Sequence, residues 1–256
     1  MLELFTPRRE TWLFRVNPAL KFAFVFVFLI IVLFNQNFQF ALNQMVLYGL
    51  ILYCFSGYSW RKLLLFSIPI IVSFFSSAVT MMLFGKGTSV LWSWGLIKIS
   101  EESIQHGLLL GFKTASFGFL SWTFLLTSRP ILLFYALMQQ FRMPSKFAYS
   151  FIASVRLMPI IVEELQTRAN ALKVRGVHFS KGLKGVLQRL QLFTVPLFAQ
   201  SIRRAQRVAV AMEAKRFQMG AKRTYFYSTS YSKVDAVFVA FSFVAFSVAY
   251  LLSKGY

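Results

Sequence analysis

The sequence is poor in the residue types that build catalytic and metal sites. Its 256 residues include only 8 Asp and Glu, 2 His and 1 Cys, against 28 Lys and Arg. The single Cys54 excludes an internal disulfide and a cysteine metal cluster. His106 and His178 lack acidic neighbours at the spacing of metal ligands. We therefore expect no metal site.

The sequence also lacks a phosphate-binding loop of the form G-x-x-x-x-G-K-[ST], because Gly85-Lys86 has no upstream glycine at the required position. Glu101-Glu102 and Glu163-Glu164 are adjacent pairs, and adjacent residues on a helix point in different directions. Neither pair predicts acid–base catalysis. We expect a chain that is not an enzyme, has no catalytic residues, binds no cofactor and does not hydrolyse ATP itself.

What the sequence has in excess is apolar surface. Hydrophobic residues make up 57% of the chain and charged residues 14%, whereas a soluble domain carries about 25% charged residues. The stretch from Phe22 to Trp60 contains no Asp, Glu, Lys or Arg. A helix needs about 20 apolar residues to cross a membrane. Because the stretch is long enough for two such helices, it predicts two spans joined by a turn at residues 35–37.

Similar charge-free stretches predict about five transmembrane helices in all. The predicted fold class is therefore all-α, a polytopic membrane protein, with residues 85–103 as a loop. Lys113 falls inside the fourth span, where it either lines a substrate or ion pathway or packs against a neighbouring helix. The predicted spans are residues 18–34, 40–57, 63–84, 104–126 and 236–253.

The basic residues concentrate in one region. Residues 142–223 hold 16 Lys and Arg and 3 acids, which accounts for +13 of the net charge of +20. We predict two amphipathic helices here, residues 163–175, followed directly by Gly176, and residues 201–217, with Gly220 soon after. A helix at 186–199 bent near Pro196, and a short helix between Pro144 and Pro159, complete the region. The predicted division is 1–141 transmembrane, 142–233 basic helical region and 234–256 last transmembrane helix.

The distribution of positive charge predicts the orientation of the chain. If the first four spans alternate, 24 Lys and Arg lie on one side of the membrane and 3 on the other. Cytoplasmic loops carry the excess of Lys and Arg. We therefore expect the N-terminus and the basic region to be cytoplasmic and the C-terminus to lie outside.

The two amphipathic helices carry cations at equivalent places. On the first, Glu164, Arg168, Ala171 and Arg175 share one stripe, and Glu164 and Arg168 form an i, i+4 pair. On the second, the matching stripe is Arg204, Val208, Ala211 and Lys215. Because Arg175 and Lys215 each end such a stripe, we expect a partner with two equivalent binding sites, such as a pair of homologous subunits. One alternative is binding to anionic lipid headgroups. The other is nucleic acid, which is disfavoured because the flanking spans tie the region to the membrane.

The segments VEELQTRANALKVRG and RRAQRVAVAMEAKRF, which end at Gly176 and Phe217, resemble the two coupling motifs of a known family. This is the transmembrane (T) component of energy-coupling factor transporters, prokaryotic importers of vitamins and metals, including cobalt, biotin and thiamine precursors. Weaker matches are NPALK at 17–21, TSRP at 127–130, MP at 143–144 and RLMP at 156–159. The sequence departs from the family pattern at Val174 (usually Ala), Lys215 (usually Arg) and Arg216 (usually Gly).

The resemblance implies that the basic helices are cytoplasmic coupling helices in a prokaryotic cell membrane. It implies two ATP-binding cassette ATPase subunits, which use the ATP, and a small substrate-binding membrane component as partners. Lys215 or Arg216 is the second key cation, and we favour Lys215 in that position with Arg216 adding a contact. The implied ATPase-coupling residues are Ala171, Val174, Arg175, Gly176, Ala214, Lys215 and Arg216.

The cargo is less constrained by the resemblance. The segment ETWLFRVNP at 10–18 is similar to members that serve thiamine or its hydroxymethylpyrimidine precursor, while cobalt, nickel, biotin or a module shared by several vitamins stay open. The rival hypothesis is a membrane-anchored scaffold whose basic amphipathic helices bind anionic lipid and which has no ATPase partner.

Overall fold

The computed structural model describes residues 7–85, 90–94, 97–177, 179, 182–218 and 224–254. A short 3-10 helix, Trp12–Arg15, precedes the first α-helix. The other elements, in chain order, are α1 Pro18–Phe34, α2 Phe38–Phe55, α3 Trp60–Phe84, β1 Val90–Trp94, β2 Ile97–Ser100, α4 Glu101–Thr127, α5 Pro130–Gln140, α6 Ser145–Val174, α7 Leu183–Ala214 and α8 Lys233–Lys254.

The chain forms two compact units. The first unit comprises residues 1–136 and 229–256, and the second comprises residues 137–228. The first unit holds α1 to α4 and α8, and the second holds α6 and α7. The division into three domains at residues 142 and 234 stays a prediction.

In the part of the chain that the structure describes, five helices are long and apolar enough to cross a membrane, which is the number predicted. Four of them, α2, α3, α4 and α8, match predicted spans. The fifth is α6, which was predicted to belong to the basic region. It is apolar enough to cross a membrane because residues 147–162 carry a single charged side chain, Arg156. The predicted first span is α1, which is shorter at 17 residues.

Two local predictions were wrong. Residues 85–103 contain an antiparallel hairpin of β1 and β2, and α4 begins within them because Ser100 and Ser103 form a capping box. Pro159 and Pro196 lie inside the continuous helices α6 and α7. A proline deletes one backbone hydrogen bond, and the remaining bonds on either side keep each helix continuous. The short helix predicted to end at Pro159 and the helix predicted at 163–175 are therefore both part of α6, and the helices predicted at 186–199 and 201–217 are both part of α7, which ends at Ala214. Pro196 lies inside a helix, as predicted.

The first unit is packed by apolar and aromatic side chains. Leu52, Leu63, Phe66 and Leu126 form one buried cluster, and the ring of Phe66 stacks on that of Trp122 at a centroid distance of 4.8 Å. Helices α3 and α4 come close through glycines on α4. A Cβ added at Gly107 would lie 2.8 Å from the carbonyl oxygen of Ala78 on α3. Small residues let helix backbones approach closely in this way.

Two lysines join α1 and α4 reciprocally. Lys21 Nζ, near the start of α1, donates to the carbonyl of Thr127 at the end of α4, at 2.9 Å. Lys113 Nζ, on α4, donates to the carbonyl of Leu33 near the end of α1, at 3.1 Å. Helix C-terminal carbonyls favour cations, so each lysine stabilises the end of the other helix. Lys113 therefore packs against a neighbouring helix, which is the structural alternative of the two considered from the sequence.

A buried carboxylate fixes the start of α8. Asp235 is 3% exposed, and its Oδ1 and Oδ2 each accept a backbone N–H, from Asn17 and Ser232, both at 2.7 Å. Asn17 in turn caps α1 by accepting from Ala19 N at 3.0 Å. The starts of α1 and α8 are thus held together by one side chain.

Candidate functional site

The end of α6 has a defined cap. Arg175 is the C-cap residue and Gly176 follows with φ +67°. Gly176 N donates to Lys173 O at 3.0 Å, and Val177 N donates to Leu172 O at 3.1 Å. This pair of bonds is the Schellman motif, in which a left-handed residue satisfies the last carbonyls of a helix. Arg175 is therefore held at a fixed place at the helix end.

The end of α7 has the same cap. Lys215 is the C-cap residue and Arg216 follows with φ +51°. Arg216 N donates to Glu213 O at 2.8 Å, and Phe217 N donates to Met212 O at 2.9 Å. These bonds match those of α6 one for one. The backbone conformation is therefore the same, although an arginine occupies the left-handed position that glycine favours.

The two caps align Val174, Arg175 and Gly176 with Ala214, Lys215 and Arg216. Lys215 takes the place of Arg175, and Arg216 takes the place of Gly176, so α6 presents one cation at its cap and α7 presents two in succession. The side chains at both ends are exposed, and Val174 is exposed to 88%. The seven residues predicted to couple to ATPases fall into two exposed groups: Ala171, Val174, Arg175 and Gly176 at the end of α6, and Ala214, Lys215 and Arg216 at the end of α7.

The exposed groups at these helix ends are positively charged hydrogen-bond donors. Arg175 and Arg216 present planar guanidinium groups that form paired hydrogen bonds with carboxylates or phosphates. Lys215 presents a compact point charge. No group of three or more His, Cys, Asp or Glu side chains that could hold a metal occurs among the described residues. Acidic or carbonyl groups on a partner are the natural ligands of such helix ends.

A polar cluster joins α6 and α7 away from their ends. Glu164 pairs with Arg204, and Gln200 Nε2 donates to Glu164 Oε1 at 3.1 Å. Arg168 Nη2 donates to Gln200 Oε1 at 2.6 Å. From the sequence, Glu164 and Arg168 were placed together as a pair within one helix. The structure instead turns both side chains toward α7, because Arg204 and Gln200 supply partners there.

Three of the polar residues that organise the structure were missed in the sequence. Asp235 was left just outside the predicted last span, and Gln200 and Arg204 were not assigned partners. The partner of both Gln200 and Arg204 is Glu164, which lies on another helix. No local pattern in the sequence indicates these contacts.

Comparison with protein families identifies the chain. The model of the cobalt transport protein family, CbiQ, matches residues 9–226, a range that includes all the helices of the second unit and both caps. The chain belongs to the CbiQ family. The resemblance stated from the coupling motifs is therefore confirmed.

Members of the CbiQ family with curated names are similar to the chain along most of its length. The energy-coupling factor transporter transmembrane protein of Streptococcus equi is 27% identical over 234 residues, covering 87% of this chain and 86% of that protein. The protein of the same name from Leuconostoc gelidum is 26% identical over 267 residues, covering 99% and 97%. That from Listeria innocua is 29% identical over 232 residues, covering 85% and 84%. With its five long apolar helices, the chain is a multi-pass membrane protein.

Proposed function

We propose that the chain is the transmembrane coupling subunit of an ATP-driven importer of the energy-coupling factor type. In this function the chain hydrolyses nothing and selects no cargo. It transmits motion from two ATP-binding cassette ATPase subunits to a separate, small substrate-binding membrane component. The ends of α6 and α7 bind the ATPases on the cytoplasmic side, and the first unit anchors the chain in the membrane.

The observation that carries the proposal is the equivalence of the two helix caps. Each cap presents an exposed cation, Arg175 or Lys215, at a C-terminal end fixed by two backbone hydrogen bonds. Two homologous ATPase subunits offer two like surfaces, and the two like helix ends match them. A helix is stiff enough to transmit a displacement along its axis, and both caps end helices of 30 residues or more.

The names of the relatives support the same proposal, since they describe transmembrane proteins of energy-coupling factor transporters. The orientation with the N-terminus and both caps in the cytoplasm is supported by the excess of Lys and Arg on that side. For the cargo we propose thiamine or its hydroxymethylpyrimidine precursor, on the likeness of residues 10–18 alone. Uptake of labelled thiamine against labelled cobalt by cells that express the whole transporter separates these cargoes.

The direct test replaces the cap cations in the full chain. Arg175→Ala and the double variant Lys215→Ala/Arg216→Ala are co-expressed with the ATPase and substrate-binding subunits. Because each end binds one ATPase, we expect each variant to lose one ATPase from the purified complex. We expect the triple variant to lose both ATPases and uptake.

Arg203→Ala is the matched control, because Arg203 is an exposed arginine on α7 away from the cap. It should leave assembly and uptake unchanged. The proposal is wrong if the triple variant still assembles and transports. If instead the wild-type chain binds anionic liposomes strongly and recruits no ATPase, the lipid-binding scaffold is the correct function.

A further inference from the structure

The polar cluster between α6 and α7 lies at equal distances from the two caps. Glu164 precedes Arg175 by the same number of positions by which Arg204 precedes Lys215. At a rise of about 1.5 Å per residue, each cap lies about 16 Å along its helix from the ion pair. The two arms, residues 164–175 and 204–215, contain no Gly or Pro. Both arms are therefore regular, stiff helix of equal length.

The direction of the two arms follows from the contacts. Glu164 contacts both Arg204 and Gln200, and Arg168 contacts Gln200. Successive contacts thus move forward along α6 and backward along α7. The two helices are therefore antiparallel where they meet. The arms leave the ion pair on opposite sides, each about 16 Å long. The separation of the caps therefore depends on the crossing angle and on the distance between the two helix axes.

The cluster has the properties of a defined crossing point. The side chains of Glu164 and Arg204 are 16% and 21% exposed, so water only partly screens the pair. Glu164 Oε1 takes contacts from Arg204 and Gln200 on α7 at once, while Glu164 Oε2 is buried and finds no partner among the described side chains. Removing either charge leaves the other half-buried and unpaired, which is unfavourable. A second, apolar contact joins the same segments, since the ring of Tyr149 on α6 meets that of Phe217, just after α7, at a centroid distance of 5.7 Å. The ion pair with Gln200 is a polar contact of the two helices and lies beyond it along α6.

We propose that the Glu164–Arg204 ion pair, held by Gln200, is the pivot that fixes the separation of Arg175 and Lys215. Glu164 and Arg204 are positioning residues: they touch neither ATPase, and they act by placing the two caps. The importance of this placement for transport rests on the proposed function, but the pivot itself does not. The two parts are therefore tested separately.

The first experiment measures the cap separation in the full chain in lipid nanodiscs, with no ATPase present. Cys54 is replaced by Ser, and spin labels are attached at Lys173→Cys and Glu213→Cys, two exposed positions equally far beyond the pivot on their arms. We expect one narrow distance distribution for the parent chain. Glu164→Arg and Arg204→Glu should each broaden or shift it, and the double variant Glu164→Arg/Arg204→Glu should restore one narrow distribution.

The neighbouring residues supply a matched control, because Glu163 and Arg203 are exposed and are separated by the same interval as Glu164 and Arg204. Glu163→Arg, Arg203→Glu and their double variant should leave the distribution unchanged. If a charge-reversed variant does not fold, Glu164→Gln is used in its place and should also broaden or shift the distance distribution. The pivot is wrong if the single variants at Glu164 and Arg204 keep the parent distribution, or if the exchanged pair fails to restore it.

The second experiment measures transport in the assembled complex. The single variants keep all cap residues, so ATPase binding should stay at the parent level. Uptake per ATP hydrolysed should fall by about 2- to 30-fold, the range of energetic coupling between sites, and the exchanged pair should recover it. If ATPase binding falls in parallel with uptake, the ion pair does not act independently of the cap residues, and the proposal is wrong on this point. Normal coupling despite a broadened distance would show that the pivot holds and the proposed function does not need it.

Discussion

The two units of the molecule use charged side chains in different ways. In the first unit, Lys21 and Asp235 are almost fully buried, and their partners are backbone groups at the ends of helices. In the second unit, Glu164 and Arg204 are partly exposed, and each has a side chain of the other helix as its partner. The first arrangement fixes where helices begin and end, and the second fixes only where two helices cross.

This difference has a consequence for motion. The partners of Lys21 and Asp235 are backbone groups, and a buried charged side chain that leaves them is left unpaired, which is unfavourable. These contacts are therefore costly to break while the first unit is folded. A contact between two side chains on the surfaces of two helices can adjust by rotamer changes while both helices stay intact. The first unit therefore has the contacts of a rigid anchor, and the second has those of a lever with an adjustable polar joint.

The largest expected effect comes from removing the buried carboxylate of the anchor. Asp235→Ala leaves Asn17 N and Ser232 N without their acceptor and Lys21 without a nearby negative charge. Breaking a buried charged contact in this way costs about 3–5 kcal/mol. We expect a large drop in the thermal unfolding temperature of the purified chain in detergent, followed by circular dichroism.

Asp235→Asn is the control, because an amide keeps one acceptor oxygen in place and should retain part of the stability. Glu164→Ala is the corresponding variant in the second unit. The ion pair of Glu164 with Arg204 is partly exposed and joins only α6 and α7. It should lower the unfolding temperature less than Asp235→Ala does. Equal losses for the two variants would contradict the distinction between anchor and joint.

Much of the second unit was predictable from the sequence, whereas the first unit was predictable only in outline. The end of α6 was found because Gly176 follows an uninterrupted amphipathic stretch, which is a local pattern. The end of α7 was predicted at Phe217 and lies at Ala214, because Arg216 takes the left-handed position in place of a glycine. Four of the five long apolar helices of the described residues followed from charge-free runs. By contrast, Lys21 and Asp235 lie near opposite ends of the chain, and nothing local to either residue indicates that three-dimensional packing brings both to the start of α1.

The prolines show the other limit of local patterns. Pro159 was predicted to end a short helix, and Pro196 to bend a helix, because proline disfavours a helix interior. Helices α6 and α7 continue through both residues. The hydrogen bonds of the turns on each side outweigh the single bond that each proline removes. Sequence position alone does not distinguish such an interior proline from a terminal one.

Glycines give a second test of the difference between the two units. The first unit needs glycine for close packing of helices, and the second needs it for a positive φ at a helix end. A Cβ at Gly107 would lie 2.6 Å from Met82 Cγ and 2.8 Å from the carbonyl oxygen of Ala78, so Gly107→Ala forces α3 and α4 apart. Overpacking of this kind costs about 1–3 kcal/mol. At Gly176 no atom lies within 4 Å of the added Cβ, but φ is +67°. Gly176→Ala should cost about 1 kcal/mol, confined to the cap of α6.

The two variants are distinguished by combining thermal unfolding with ATPase binding. Gly107→Ala should lower the unfolding temperature of the chain and leave the affinity of the folded protein for ATPases unchanged. Gly176→Ala should leave the unfolding temperature nearly unchanged and weaken ATPase binding at the α6 end. Gly49→Ala is a mild control within the first unit, because its added Cβ would meet only the ring of Phe119 at 3.7 Å.

The smallest expected effect concerns Arg216, where the two caps differ. An arginine at φ +51° is strained relative to glycine by about 1 kcal/mol. Arg216→Gly should therefore make the α7 cap as favourable as that of α6. Local opening of the last turn sets amide exchange, so the amides of residues 215–217 should exchange about fivefold more slowly, as measured by hydrogen–deuterium exchange mass spectrometry of the purified chain.

The same substitution removes a cation, and a second variant separates the two effects. Asn tolerates the left-handed conformation better than Arg but carries no charge, so Arg216→Asn should slow exchange to a smaller extent than Arg216→Gly. If ATPase binding weakens equally in both variants, the charge of Arg216 contributes a contact. If binding is unchanged in both, Lys215 alone serves the α7 end, as Arg175 serves the α6 end. Exchange that is unchanged or faster in Arg216→Gly would show that the cap is not strained.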